Sequence, residues 1–223
     1  MTDQERPSRM PRWVVPVLIA LAIAALAFAV GRFSTFGSGS AASATPTNDS
    51  AEAGFARDMQ VHHAQAVEMA MEIYRKTDDD IVRMLSYDIA TGQSAQRGQM
   101  YQWLVQWGLP QAGGPAMAWM TGTGEHSGHG GAATPMSDAE AREAMGMATD
   151  AELSELGAAS GTEADCLFLS LMISHHEGAI PMAEAVLELG SEPGVLTMAQ
   201  SMKDTQTAEI DAMESSSARL GCS

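Results

Sequence analysis

The chain is poor in aromatic side chains, only 5% of its 223 residues, and has no run of β-branched residues. Together these shortages argue against strands and for an all-α fold. It has two cysteines, Cys166 and Cys222, neither with a partner at the C-x-x-C spacing of zinc sites and redox motifs. There is no Gly-x-Ser-x-Gly, no phosphate-cradling loop and no Glu-x-x-His. Nucleophilic catalysis therefore has no visible basis, and a di-metal oxidase lacks the Glu-x-x-His pairs it needs on facing helices. The expectation is a protein that is not an enzyme. Basic residues are also scarce, 12 against 28 acidic ones. That balance disfavours nucleic acid and anionic lipid as partners and favours attraction of cations.

The few bases are unevenly placed. Arg6, Arg9 and Arg12 precede an uncharged apolar run from Trp13 to Val30, which Arg32 closes. As a helix this run rises about 27 Å, close to the thickness of a bilayer's hydrocarbon core. Residues 1–12 are expected in the cytoplasm, with 13–31 as a single-pass anchor that exports the remainder of the chain. The alternative is a signal that is cleaved to release a secreted protein, but the only good Ala-x-Ala, Ala42-Ser43-Ala44, lies well past the apolar run, which favours the anchor. Residues 32–51 form a flexible Ser/Thr/Gly/Ala tether. Without those four arginines, Asp3 and Glu5, the exported part keeps eight bases against 26 acids, a charge near −18.

Histidine is placed rather than scattered. The segment from Phe55 to Ala70 aligns without gaps on Phe168 to Ala183, at an offset of 113 residues. Phe55/Phe168, Met59/Met172, His62/His175, His63/His176, Ala66/Ala179, Met69/Met182 and Ala70/Ala183 are identical pairs. Four of the six histidines lie in these two copies. Gln93/Gln206, Ala95/Ala208 and Met100/Met213 keep the same offset more faintly, so the repeated unit is a helical hairpin.

Periodicity and caps place the helices. The first spans about 51–76; the second starts at Asp78-Asp79-Asp80 and ends before Gly108 and Pro110. Ser137-Asp138-Ala139-Glu140 and Thr149-Asp150-Ala151-Glu152 are capping boxes that open two short helices. The third long helix covers about 163–189, and the fourth opens at Ser191-Glu192-Pro193 and ends near Gly221. Two hairpins make a four-helix domain over 52–221: repeat one 52–109, a Gly/Met/His loop 110–136, repeat two 163–221. Pro181 should kink the third long helix. Cys166 and Cys222 fall at neighbouring ends of the second hairpin, where a disulfide is geometrically natural. Closing that loop would contribute about 4 kcal/mol in the chain-entropy model.

On a helical wheel His62, His63, Ala66, Met69 and Ala70 fall within roughly 80° of Met59, while Glu68 points away. The second copy repeats this with Met172, His175, His176, Ala179, Met182 and Ala183. Methionine at helical spacing is most often soft core filler. An apolar core, however, gains nothing from four imidazoles. Thioether plus imidazole without thiolate suits copper, Cu(I) above all. Adjacent histidines diverge by about 100°, so Met59 with His63 and Met172 with His176, one turn apart, are the pairs expected to converge, with Met59–His62 and Met172–His175 as the i,i+3 alternatives. The loop adds Met117, Met120, His126, His129 and Met136, a second collecting segment without rigid geometry. If histidines dominate, binding should weaken below about pH 6; if methionines dominate, it should persist there.

The doubled Phe-x-x-x-Met-x-x-His-His-x-x-Ala-x-x-Met-Ala motif, with a Gln-x-x-(Glu/Gln) helix after each copy, resembles the family called domain of unknown function 305. Met172-Ile173-Ser174-His175-His176-Glu177-Gly178-Ala179-Ile180, then Gln206-Thr207-Ala208-Glu209-Ile210, carries the likeness; Gln93-Ser94-Ala95-Gln96 in the first copy departs slightly. The resemblance implies a ferritin-like four-helix bundle, usually exported, with copper-binding and copper-resistance proteins among the relatives. The functional positions it implies are Met59, His62, His63, Met69, Met172, His175, His176 and Met182. The sequence reading is a membrane-tethered, extracytoplasmic Cu(I) chaperone or buffer, with a copper-transfer partner. A protein-interaction or pH-sensing helical module is the alternative, and a di-metal oxidase is the least supported.

Overall fold

The structure, a computed structural model, describes residues 45–120 and 136–222. Among the described residues it is all-α, with six α-helices, one 3-10 turn and no strand. The proposed anchor at 13–31 and the loop histidines His126 and His129 lie outside the described residues. Among the described residues no helix is long and apolar enough to cross a membrane.

Four long helices carry the fold: α1 (Ala51–Lys76), α2 (Asp80–Gln106), α5 (Gly161–Leu189) and α6 (Pro193–Leu220). Their ends reflect the local chemistry. Ser50 Oγ accepts the Ala53 N–H at the start of α1, and Asp79 accepts from Ile81 and Val82 at the start of α2. Pro193 occupies the first turn of α6, where its missing N–H costs nothing, and Gly221 closes that helix in the left-handed conformation, φ 73°. The two short helices, α3 (Asp138–Ala144) and α4 (Asp150–Ala158), both open on complete capping boxes, at Ser137 and Thr149. Helix α5 continues through Pro181 to Leu189; the ring sits at an exposed position.

Helices α1 and α2 pack as one hairpin and α5 and α6 as the other; the hairpins meet chiefly through α1 and α5, while α2 and α6 touch sparsely. The apolar interior falls into two clusters. One gathers Phe55, Met59, Met100, Leu104, Met182 and Val186, and the other gathers Met69, Ile73, Ile89, Phe168, Met172 and Met213. The N-terminal half of α1 thus shares its cluster with the C-terminal half of α5, which makes the two repeats antiparallel. Cys166 and Cys222 are joined, Cα–Cα 5.4 Å, closing the second hairpin.

Two connecting segments are pinned to this frame. Asp58 accepts from Met117 N–H and Trp119 Nε1–H, each at 2.8 Å. The Trp119 indole packs edge-on against Phe55, in the space a Cβ on Gly54 would occupy. Met117 holds φ 61°, unusual for a residue with a side chain. The start of the Gly/Met/His loop is therefore anchored, contrary to the expectation of a segment without rigid geometry, because a partly buried carboxylate holds two of its N–H groups.

The second pinned segment comes after α3. Gln65 donates to Ala148 O and accepts from Ala148 N–H, both at 2.8 Å. On the other side, Cβ atoms placed on Gly146 and Gly178 would lie 2.0 Å from Ser174 O and 2.1 Å from Met145 O. Backbone lies directly on backbone there, which only glycine permits. Gly178 is the repeat counterpart of Gln65. One copy grips the segment with an amide and the other makes room for it.

This packing makes the effect of a methyl group depend on where it is added. Gly178→Ala should destabilise the protein by about 2 kcal/mol, the overlap outweighing any helix-propensity gain. Gly98→Ala, where a Cβ meets nothing within 4 Å, should stabilise it by about 0.5–1 kcal/mol; urea melts of both variants check the contrast. Reduction of the Cys166–Cys222 bond should lower stability by about 4 kcal/mol in the same assay.

Candidate functional site

Between the two apolar clusters lies a layer of polar side chains. His62 and His63 come from the middle of α1 and His175 and His176 from the middle of α5, all four fully buried; Gln93 of α2 and Gln206 of α6 are nearly so. The helical faces read from the sequence turn inward together, and the antiparallel register of α1 and α5 brings the four rings into one neighbourhood. The His62 and His175 rings lie 3.6 Å apart, centroid to centroid, tilted by 30°. Within each helix the adjacent rings stand farther apart, 6.1 Å for His62–His63 and 6.3 Å for His175–His176. The closest pairing is thus between repeats.

Hydrogen bonding fixes the tautomers. His62 Nε2 lies 3.0 Å from Met145 O, and His175 Nε2 lies 3.1 Å from His62 O. Carbonyls only accept, so each Nε2 carries the proton. His63 Nε2 donates to Gln96 Oε1 at 2.7 Å and His176 Nε2 to Glu209 Oε2 at 2.8 Å. Gln96 and Glu209 are themselves repeat counterparts, so the variation in the Gln-x-x-(Glu/Gln) helix exchanges one acceptor for another.

With Nε2 protonated, every Nδ1 carries a bare lone pair. All four Nδ1 atoms are buried and have no hydrogen-bond partner. A buried unsatisfied acceptor costs about 1–3 kcal/mol, and four at one level of a core are well outside ordinary packing. Burial also keeps three of these rings neutral: it pushes His62 down to about 4 and His63 to about 3, with neighbouring imidazoles adding to the effect, and holds His175 well below the usual histidine range. These are lone pairs that protons do not readily take.

The methionines frame this layer rather than join it. Met59 and Met182 belong to the apolar cluster on one side and Met69 and Met172 to that on the other, all fully buried. Repeat-related Met59 and Met172 therefore lie on opposite sides of the histidines. Of the loop candidates, Met117 and Met120 pack against the cluster containing Met59, while Met136 is exposed. Among the described residues no three His, Cys, Asp or Glu side chains form a ready-made metal-binding group; a complete donor set has to draw on thioethers or on movement within the layer.

Sequence reasoning missed Met145, Gln65, Gly146 and Gly178. Met145 contributes a backbone carbonyl, which no side-chain pattern announces. The Gln65/Gly178 difference, flanked by the identical pairs His63/His176 and Ala66/Ala179, was the available signal.

Solved structures agree with this architecture. A DUF305 protein from Streptomyces coelicolor is 40% identical, with 79% of this chain and 96% of that chain covered and a TM-score of 0.68. A DUF305 fragment from Deinococcus radiodurans is 32% identical, covering 77% of this chain and 95% of that one, TM-score 0.60. CopM in its Cu(II)-bound form is 26% identical, with 74% and 94% covered and a TM-score of 0.53. Among curated protein sequences none matches significantly. The family model described as Domain of unknown function (DUF305) matches residues 52–216, and the chain belongs to that family.

Proposed function

We propose that the histidine layer binds a copper ion, Cu(I) in preference, and that the protein is an extracytoplasmic copper buffer or chaperone rather than an enzyme. The observation that carries this reading is the set of four buried, unpartnered Nδ1 lone pairs at one level of the core. Each is backed by a fixed Nε2–H donor bond, the arrangement that orients a metal-ligating histidine and raises its basicity. His62, His63, His175 and His176 are the nitrogen donors, and Met59, Met69, Met172 and Met182 supply soft thioethers on either side. A soft monovalent ion accepts such low-coordinate N/S sets, whereas zinc and hard cations want more nitrogen, carboxylate or oxygen. The copper-bound state of CopM, at 26% identity, supports the choice of metal. The likeness to a candidate secreted DUF305 protein supports an extracytoplasmic setting. Anchoring by residues 13–31 and hand-over to a transfer partner belong to the same proposal.

The low imidazole pKa values revise the expected pH dependence. A free histidine would release copper below about pH 6, but His62 and His63 stay unprotonated in the fold to about 4 and 3. Cu(I) binding should therefore persist at pH 5, as measured by competition with a chromophoric chelator. Stability of the metal-free chain should behave differently. Above about pH 6.5 His62 and His63 are neutral both in the fold and in the unfolded chain, so their contribution is flat. As pH falls from 6.5 towards 4 the unfolded chain takes up protons the core refuses, costing about 1.4 kcal/mol per pH unit for each such histidine. Denaturant melts from pH 7.5 to 4.5 would track that decline. The same values argue against the pH-sensing alternative, since a sensor has to titrate between about pH 5 and 8 in its folded state.

The decisive comparison is anaerobic Cu(I) titration of the unmodified chain against two variants. Replacing His62, His63, His175 and His176 by Ala should abolish tight binding. Met59→Leu with Met172→Leu, near-isosteric and costing less than about 1.5 kcal/mol in stability, should keep the fold and weaken Cu(I) affinity. Undiminished binding by the histidine variant would move the site to Met117, Met120, His126, His129 and Met136. No binding by any of the three would leave the interaction module as the better reading.

A further inference from the structure

The histidine layer is enclosed by α1 and α5, so an ion needs a way in. The sparse seam between α2 and α6 holds a cleft of about 30 Å³, enough for a water molecule or two. Six of its lining residues are three repeat-related pairs: Gly92/Thr205, Gln93/Gln206 and Gln96/Glu209. The cleft therefore straddles the internal two-fold relation of the repeats, as the histidines do. Its floor is one side chain from them, because Gln96 and Glu209 line it and also accept from His63 and His176. Gln93 and Gln206 are 4% and 3% exposed. Gln93 Oε1 and Nε2 and Gln206 Oε1 are buried without hydrogen-bond partners. The carboxylates of Asp88 and Glu209 give the cleft negative charge.

Resting on the copper-binding reading, we infer that the α2–α6 cleft is the entry route to the histidine layer, with the Gln93 and Gln206 amide oxygens as a transit site for a monovalent cation shedding its water. The acidic mouth raises the local cation concentration. Two unpartnered amide oxygens replace water ligands as the ion loses its shell. From there the imidazoles behind Gln96 and Glu209 are the next donors inward. A passage of this size admits an ion and excludes a copper chelate, so exchange with bulky complexes requires the ion to leave its carrier first.

Gly92 gives a direct test. It is exposed, and a Cβ there meets nothing within 4 Å, so larger residues fit without displacing the core and narrow the mouth. Gly92→Ala, Gly92→Leu and Gly92→Trp would be compared with the unmodified chain by stopped-flow uptake of Cu(I) from its labile acetonitrile complex, beside equilibrium Cu(I) affinity and thermal melts. The expected result is a graded loss of uptake rate, about tenfold or more for Leu because entry then waits on helix separation, with release slowed equally and Kd unchanged. Gln93→Leu with Gln206→Leu should slow uptake as well. Unchanged rates in Gly92→Leu, with full Cu(I) saturation, overturn the entry route and leave the metal site standing. Absence of Cu(I) binding in the unmodified chain overturns both. Should Trp prevent folding, the Ala and Leu variants still decide the matter.

Discussion

A layer of imidazoles in the middle of an apolar bundle is the constraint on which the rest of this structure depends. Each ring is too polar to bury without a partner, so each Nε2–H is satisfied by an acceptor delivered from a different element: the turn after α3, the backbone of α1, the α2 amide Gln96 and the α6 carboxylate Glu209. That requirement accounts for much that would otherwise look incidental. Gln65 clamps Ala148, and Gly146 and Gly178 remove side chains where backbones touch; together they deliver the Met145 carbonyl to His62. The apolar clusters on either side bury this layer, which is why His62, His63 and His175 stay neutral.

Much of the frame was legible in the sequence. Helix starts at Ser137 and Thr149 are chemical signals local to a few residues, and the 113-residue repeat announces paired hairpins. The faces were legible too, since 100° per residue puts Met59, His63 and Ala66 together and Glu68 outside. What local pattern cannot encode is the register of one helix against another. The wheel suggested Met–His pairs within a helix. To these the antiparallel packing adds the approach of His62 to His175, and it sends Met59 and Met172 into different clusters. The expected loss of copper below pH 6 came from the solution chemistry of imidazole, and burial changes that number.

The Gly/Met/His loop shows the same division between composition and context. Glycine, threonine and histidine content suggested freedom, yet Asp58, an α1 residue that no motif singles out, holds Met117 and Trp119 in place. A distant carboxylate outweighs local composition because two hydrogen bonds to a partly buried charge exceed the backbone entropy of a few residues.

The Gln65/Gly178 mismatch has a consequence for how such a bundle could arise. Two copies of one hairpin, facing each other across a dyad, would generate the four-histidine layer by symmetry alone. They could not generate the Met145 carbonyl, because a strand of chain lying across the dyad can run in one direction only. Joining the hairpins in a single polypeptide lets one half evolve a grip and the other a vacancy, so that each half now specifies its own orientation. Covalent linkage here is what turns a symmetric ligand cage into one with a defined front and back.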